Sequence, residues 1–274
     1  MGPEPRMRPL LSAVVFFFLT IALSIVAMCS GLVDRSGDLV LKLARLWSRA
    51  VLGAAGVRLR VRSHVALDPK RSYVFMSNHL SAVDIWAVFL SVSVPMRFIA
   101  KKQLGQIPVF GWAMRAGRFI FIDRQNTGSA RRTIEEAARR IREGCSVVIF
   151  PEGTRSRDGN LLPFKKGGFH LAMSSGAEIV PVAIRGSRAI MPSGSLLIHA
   201  GLVDIELGEP IPTEGVPAAG RDALVEKVRA RITEMLATDG PDDAASPRRS
   251  AGARGDAEAA SSPPGGPPDS IKDA

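Results

Sequence analysis

Tyr73-Val74-Phe75-Met76-Ser77-Asn78-His79-Leu80-Ser81-Ala82-Val83-Asp84-Ile85-Trp86-Ala87-Val88-Phe89-Leu90 passes from a strand pattern to a helix pattern within a few residues. Tyr73 to Met76 is apolar and long enough for a buried strand, and Ile85 to Leu90 is an apolar, helix-like run. A histidine therefore falls where a strand ends and a helix begins, with a carboxylate five residues on. Open α/β sheets gather their chemistry at the carboxyl ends of strands. A neutral imidazole there can accept a proton from a hydroxyl at physiological pH. A carboxylate on its other nitrogen fixes the tautomer and stabilises the imidazolium that forms. Ser81-x-x-Asp84 also has the form of a helix-start capping box, so the pair alone leaves both a base and a helix cap open.

Strand patterns recur on either side. Val57-Arg58-Leu59-Arg60-Val61-Arg62 alternates strictly, as a half-exposed strand does. Further strands are expected over Arg97 to Ala100, Arg118 to Ile122, Ser146 to Phe150, Ile179 to Ile184 and Val203 to Leu207. Helical stretches fall between them. In Ser129 to Glu143, Ala130, Ile134, Ala137, Ala138 and Ile141 share one face. Arg221 to Leu236 is a last amphipathic helix. Alternation of this kind predicts an α/β fold, a mixed sheet flanked by helices.

Three more strand ends carry chemistry. Ala100-Lys101-Lys102-Gln103-Leu104 delivers cations, and Gly117-Arg118-Phe119-Ile120-Phe121-Ile122-Asp123-Arg124 delivers a charged pair. Phe150-Pro151-Glu152-Gly153-Thr154-Arg155-Ser156-Arg157 follows a strand on the same edge; Gly153 lets the backbone approach a ligand, and Arg155 can clamp a phosphate with paired donors. Each has a plain alternative. Lys101 can open an ordinary helix, an Asp123–Arg124 surface pair would contribute under about 1 kcal/mol, and Arg157 reads as a solvated turn residue. Their convergence on one edge is the stronger observation. It implies a substrate with a hydroxyl to deprotonate, a phosphate to hold and a membrane-borne chain.

The flanks fit such a substrate. Leu10 to Val33 has no charged side chain, and about 20 apolar residues suffice to cross a bilayer; the alternative is a cleaved signal peptide, for which the run is long but which has Ala-x-Cys near its end. Leu39 to Gly56 reads as a second helix, with Leu39, Leu43, Leu46 and Ala50 on one side and Lys42, Arg45 and Arg49 on a basic side, a pattern that suits an interface over anionic lipid. Arg6 and Arg8 and the basic run from Arg35 to Arg71 both favour the cytoplasm. A hairpin dipping into one leaflet satisfies both; a spanning helix does not. Residues 1–56 are thus expected to be membrane-anchoring helices, 57–237 the catalytic domain, and 238–274 a disordered tail rich in Pro, Gly, Ala, Ser and charge. That tail holds seven acids and four bases, net −3, so the overall +10 leaves +13 on residues 1–237. Such an excess suits an anionic partner, and few aromatics and no reading motif speak against nucleic acid. Cys29 and Cys145 read as small core residues, neither a disulfide nor a zinc site. The chain has no Gly-x-Ser-x-Gly elbow, Walker loop, His-Glu-x-x-His or dinucleotide fingerprint.

Asn78-His79-x-Ser81-x-x-Asp84 resembles the Asn-His-x-x-x-x-Asp block of the glycerolipid acyltransferases. Phe150 to Ser156 resembles their phosphate-site block, Gly117 to Arg124 the intervening block and Val180-Pro181-Val182-Ala183-Ile184 the last; Lys101 to Gly111 and Pro163-Phe164-Lys165-Lys166-Gly167 also fit. The likeness runs over roughly Arg71 to Ile184 and is greatest to bacterial 1-acylglycerol-3-phosphate acyltransferases. It implies acyl transfer without cofactor or metal at a cell inner membrane, with the catalytic domain on the cytoplasmic side. His79, oriented by Asp84, would deprotonate the 2-hydroxyl of lysophosphatidate for attack on the thioester of acyl-CoA or acyl carrier protein. Arg155 and Lys101 would hold the phosphate with Arg124 nearby, and Glu152, Gly153 and Thr154 would shape the acceptor pocket. Glu152 has the alternative of tying down its loop. The other readings are an acyltransferase for another lyso-lipid, such as a lysophospholipid or lyso-ornithine lipid, and a non-catalytic lipid-binding protein of the membrane.

Overall fold

The computed structural model describes residues 7–123, 126–195 and 197–238; the expected tail from Asp239 onward and Arg124 lie outside the described residues. Seven strands form one sheet: β1 (Val57–Ser63), β2 (Tyr73–Ser77), β3 (Met96–Lys101), β4 (Ile120–Ile122), β5 (Ser146–Ile149), β6 (Glu178–Arg185) and β7 (Gly201–Leu207). Their order is β1-β7-β6-β2-β5-β3-β4. All neighbours are parallel except β6 and β7, which are antiparallel, so the sheet is mixed. β2 lies inside the sheet and is buried along its whole length, as its unbroken apolar run requires.

Helices cover both faces. α1 (Met7–Ser30), α2 (Asp38–Ala55), α3 (Val83–Ser91) and α4 (Phe110–Ala116) are gathered on one side. α5 (Thr127–Arg142), α6 (Gly167–Ser175) and α8 (Arg221–Ala237) lie on the other, and the short α7 (Ser187–Ile190) precedes β7. Phe75, on β2, faces the first cluster; Val74 and Met76 face the second. Burying one such side chain contributes about 1.5–3 kcal/mol.

Two expectations change. β4 starts at Ile120 rather than Arg118, because Arg118 adopts φ 58 and turns the chain before pairing can begin. Cys29 and Cys145 are free thiols, but Cys29 is exposed on the outer side of α1 and Cys145 is only half-buried. Neither is a core residue.

α1 and α2 form a hairpin packed against the sheet domain. Phe16, Trp47, Trp86 and Phe110, one from each of α1 to α4, make a connected aromatic cluster with centroid separations of 5.6 to 6.5 Å. Trp47 Nε1 donates to Thr20 Oγ1 at 3.1 Å, and the Arg45 guanidinium donates to the carbonyls of Val92 and Val94 at the end of α3. At the tip of the hairpin the buried Arg97 of β3 donates to Ser36 O and Asp38 Oδ1, at 3.0 and 3.1 Å. Gly37 adopts φ +77, and a Cβ there would lie 2.9 Å from Ala116 O, so the tip needs glycine.

Candidate active site

β2, β5, β3 and β4 are adjacent in that order and run parallel. Their carboxyl ends therefore stand side by side, within roughly 14 Å at the usual strand spacing. Each chemistry-bearing stretch singled out in the sequence leaves from one of these ends.

His79 sits two residues beyond β2. Its Nδ1 lies 2.8 Å from Asp84 Oδ2. The same oxygen accepts the backbone N–H groups of Leu80 and Ser81, at 2.7 and 2.9 Å. Ser81 Oγ accepts the Val83 N–H at 3.2 Å and donates to Met191 O. Asp84 thus supplies the reciprocal half of a capping box and the orienting contact to the imidazole with one oxygen. The contacts that each of the two readings requires are present together. Asp84 is fully buried and its Oδ1 has no hydrogen-bond partner among the described residues. A buried carboxylate held by few donors gains from a neighbouring positive charge, which is what a protonated imidazole provides. The ring stacks on Phe150 at 3.9 Å between centroids and 14° between planes. With Nδ1 committed to Asp84, Nε2 is the nitrogen left to take a proton.

The peptide that carries His79 is bridged on both flanks by side chains. Asn78 Nδ2 donates to Ile184 O at 2.9 Å and its Oδ1 accepts the Ile184 N–H at 2.8 Å, extending the pairing towards β6. Glu152 Oε1 accepts the His79 N–H at 2.7 Å, and its Oε2 accepts the Leu162 N–H at 2.9 Å. The His79 carbonyl accepts the Ser156 N–H at 2.8 Å. Glu152 is only 2 % exposed. Burial raises its pKa above the ordinary carboxylate value, against the lowering effect of the two backbone donors. These contacts correspond to the loop-tying alternative.

The cations are arranged differently. Arg155 is half-buried, and its guanidinium has no hydrogen-bond or ion-pair partner among the described residues. Lys101 is exposed at the end of β3. Gly153 adopts φ +74, and a Cβ there would come within 2.9 Å of Lys165 Nζ, so the glycine leaves room for an amine beside the loop. Thr154 is exposed. Asp123 pairs with Lys102 at 3.2 Å, and Arg157 is exposed, its carbonyl accepting from Arg188. Asn78, Phe150 and Lys165 were not among the candidate site residues. The position of Asn78 at a strand end and of Lys165 in Pro163 to Gly167 were the signals available for two of them. Together the residues supply an imidazole with a carboxylate partner and, from the same sheet edge, cationic side chains able to meet an anionic group.

Residues 58–185 match the family model described as Acyltransferase. The chain is 31% identical over 204 residues to human 1-acyl-sn-glycerol-3-phosphate acyltransferase alpha, covering 73% of this chain and 72% of that protein. It is 36% identical over 164 residues to a chloroplastic 1-acyl-sn-glycerol-3-phosphate acyltransferase of Brassica napus, covering 60% of this chain and 46% of that protein. Among solved structures, the 1-acyl-sn-glycerophosphate (LPA) acyltransferase PlsC from Thermotoga maritima superposes with a TM-score of 0.71 at 26% identity, over 86% of this chain and all of that one. With its mixed sheet, its His-Asp corner and a relative matched over most of both lengths, the chain belongs to the 1-acyl-sn-glycerol-3-phosphate acyltransferase family.

Proposed function

We propose that this protein is a 1-acyl-sn-glycerol-3-phosphate acyltransferase that converts lysophosphatidate and an acyl thioester into phosphatidate. The observation that carries the reading is the His79–Asp84 pair on the same sheet edge as the half-buried Arg155, which has no partner among the described residues. His79 Nε2 takes the proton of the acceptor's 2-hydroxyl as its oxygen attacks the thioester carbonyl. Asp84 stabilises the imidazolium through Nδ1. The tetrahedral intermediate collapses by breaking the carbon–sulfur bond, and the imidazolium returns its proton to the departing thiolate of CoA or acyl carrier protein. A positioned base of this kind contributes about 100- to 10,000-fold in rate. Arg155, with Lys101 and Lys165, holds the phosphate by charge-assisted bonds; Arg124 has the same role by sequence.

The acceptor is a lipid, and the outer face of the hairpin suits it. Val14, Phe18, Ile21, Ile25, Met28 and Leu32 follow one another at steps of three and four and are all exposed. From Val14 to Met28 they make one apolar stripe about 21 Å long, which Leu32 continues in the turn after α1. The inner side of α1 is packed on α2 and α4, so α1 offers the bilayer one face, as a helix lying in a leaflet does. Leu46, Ile107 and Trp112 add exposed apolar groups from α2, from the connection between β3 and α4, and from α4 itself. We place this face in the cytoplasmic leaflet of the inner membrane, with residues 57–237 in the cytoplasm.

An assay matrix tests the function. Purified protein is given lysophosphatidate, other lysophospholipids and a lyso-ornithine lipid, each with acyl-CoA and with acyl carrier protein. Phosphatidate is expected as the main product; a preference for an acceptor lacking the terminal phosphate would overturn the assignment.

A further inference from the structure

The ladder between β2 and β5 ends at Met76 and Ile149. Beyond it the two segments leave the ladder, one leading to His79 and the other to Arg155, and the backbone bond from Ser156 N–H to His79 O joins them across the gap. Glu152 spans this gap. Its carboxylate takes the N–H of His79, while the N–H of Ser156, one residue past Arg155, is donated to the carbonyl of His79. Both peptide groups flanking the His79 Cα are therefore held by the loop that carries Arg155. The second carboxylate oxygen is occupied by Leu162. Leu162 is held in turn from α8, where Arg229 donates to the carbonyls of Leu162 and Leu161 at 2.9 and 3.4 Å and lies over the Phe164 ring. A carboxylate serving the acceptor would need an oxygen directed at it, and its charge would repel the phosphate. Here both oxygens are bonded to backbone donors and the group is buried.

We propose that Glu152 is a positioning residue: by gripping the His79 peptide it fixes the span between the base and the phosphate cation, and it does not touch the acceptor. This rests on the acyltransferase reading above for the identity of the acceptor. The physical need is plain. Proton transfer tolerates little error, and a displacement of about 1 Å can cost about 100-fold in rate.

Glu152→Gln and Glu152→Asp test the proposal. Glutamine keeps the size but turns an N–H₂ group towards one of the two backbone donors; aspartate keeps the charge but is too short to reach both. With oleoyl-CoA saturating and lysophosphatidate varied, kcat should fall about 100-fold while the KM for lysophosphatidate stays within about threefold of the parent value. Arg229→Ala should give a smaller loss of the same kind. A tenfold or greater rise in KM with kcat retained would overturn the proposal, since it would place Glu152 against the acceptor; so would unchanged kcat in both Glu152 variants. Hydrogen exchange on the unsubstituted protein gives a second readout that needs no variant to fold. The His79 amide should be protected before lysophosphatidate is added. Protection that appears only on its addition contradicts a preformed clamp. The unsubstituted protein run alongside keeps the two questions apart: failure to acylate lysophosphatidate would refute the proposed acceptor, whereas exchange at His79 reports on the clamp alone.

Discussion

His79 and Arg155 leave adjacent strands of one sheet, yet they are held very differently. His79 is bonded at its amide N–H, its carbonyl and its Nδ1, and its ring is stacked on Phe150. The Arg155 guanidinium has no partner among the described residues, and Lys101 stands exposed at the next strand end. If His79 is the base and Arg155 the phosphate cation, as proposed, the difference teaches how the site divides its work. Proton transfer demands a fixed atom, so the base is organised before the substrate arrives. A phosphate is large, symmetric and strongly charged, so a cation free of internal partners can close on it and gain the whole interaction. An Arg155 already paired with a carboxylate would have to break that pair first.

This contrast can be broken from either side. The largest effect is expected at His79. Replacing it by alanine removes the proposed base and should lower kcat by about 10,000-fold, the upper end for a positioned base, while the association with lipid vesicles proposed for α1 and α2 should stay intact. Asp84→Asn should come next. Its amide oxygen can take the place of Oδ2, but the group has no charge to stabilise an imidazolium and buries an N–H₂ donor where Oδ1 has no partner among the described residues, so kcat should fall about 1,000-fold and stability should drop by about 1–3 kcal/mol in a denaturant titration. Loss of activity without loss of stability would separate the imidazole contact from the cap. On the cation side, Arg155→Ala should raise the KM for lysophosphatidate roughly 10- to 100-fold, as expected for losing charge-assisted bonds of about 1.5–3 kcal/mol. The KM for the acyl thioester should hold. Lys101→Ala should raise the same KM by less than about fivefold, since an exposed charge is screened by water.

The smallest effect on catalysis is expected far from the site. Glu206 on β7 is bonded by Arg185 at 2.7 Å and by His64 at 3.0 Å. Burial pushes its pKa up, but these two hydrogen bonds and the charges of Arg185 and Arg62 together hold it below the ordinary value. A depressed carboxylate adds stability that is present above its unfolded pKa, about 4.3, and that is lost as pH falls towards the folded value. Glu206→Gln should therefore weaken the fold near neutral pH and make its stability less dependent on pH below about 4, with kcat and KM unchanged in the protein that remains folded. A kinetic change there would mean that the β7 side of the sheet is coupled to the site.

The sequence was readable where neighbours along the chain are neighbours in space. His79, Ser81 and Asp84 lie within six residues, so their spacing already named the contacts; the cap and the contact to the imidazole do not exclude each other, because one oxygen of Asp84 makes both. The strand ends were readable because apolar runs stop at polar residues, and the parallel pairing of β2, β5, β3 and β4 then brings those ends together. Contacts between distant segments were not readable. Glu152 reaches the amide of a residue 73 positions earlier, and Asn78 bonds Ile184, 106 positions on. Nothing in a lone Glu or Asn says which backbone group it will meet. Cys29 was misplaced for a related reason: apolar surroundings in sequence resemble a core, whether the neighbours in space are protein or lipid.

The most direct test of a base and phosphate site working together is the ratio of kcat/KM for lysophosphatidate to that for the matching monoacylglycerol, measured in the parent protein and in Arg155→Ala. The parent should favour lysophosphatidate by at least about 100-fold, and the ratio should collapse towards one in the variant through the lysophosphatidate value alone. A parent ratio near one, or a large ratio that survives the loss of Arg155, would contradict the account.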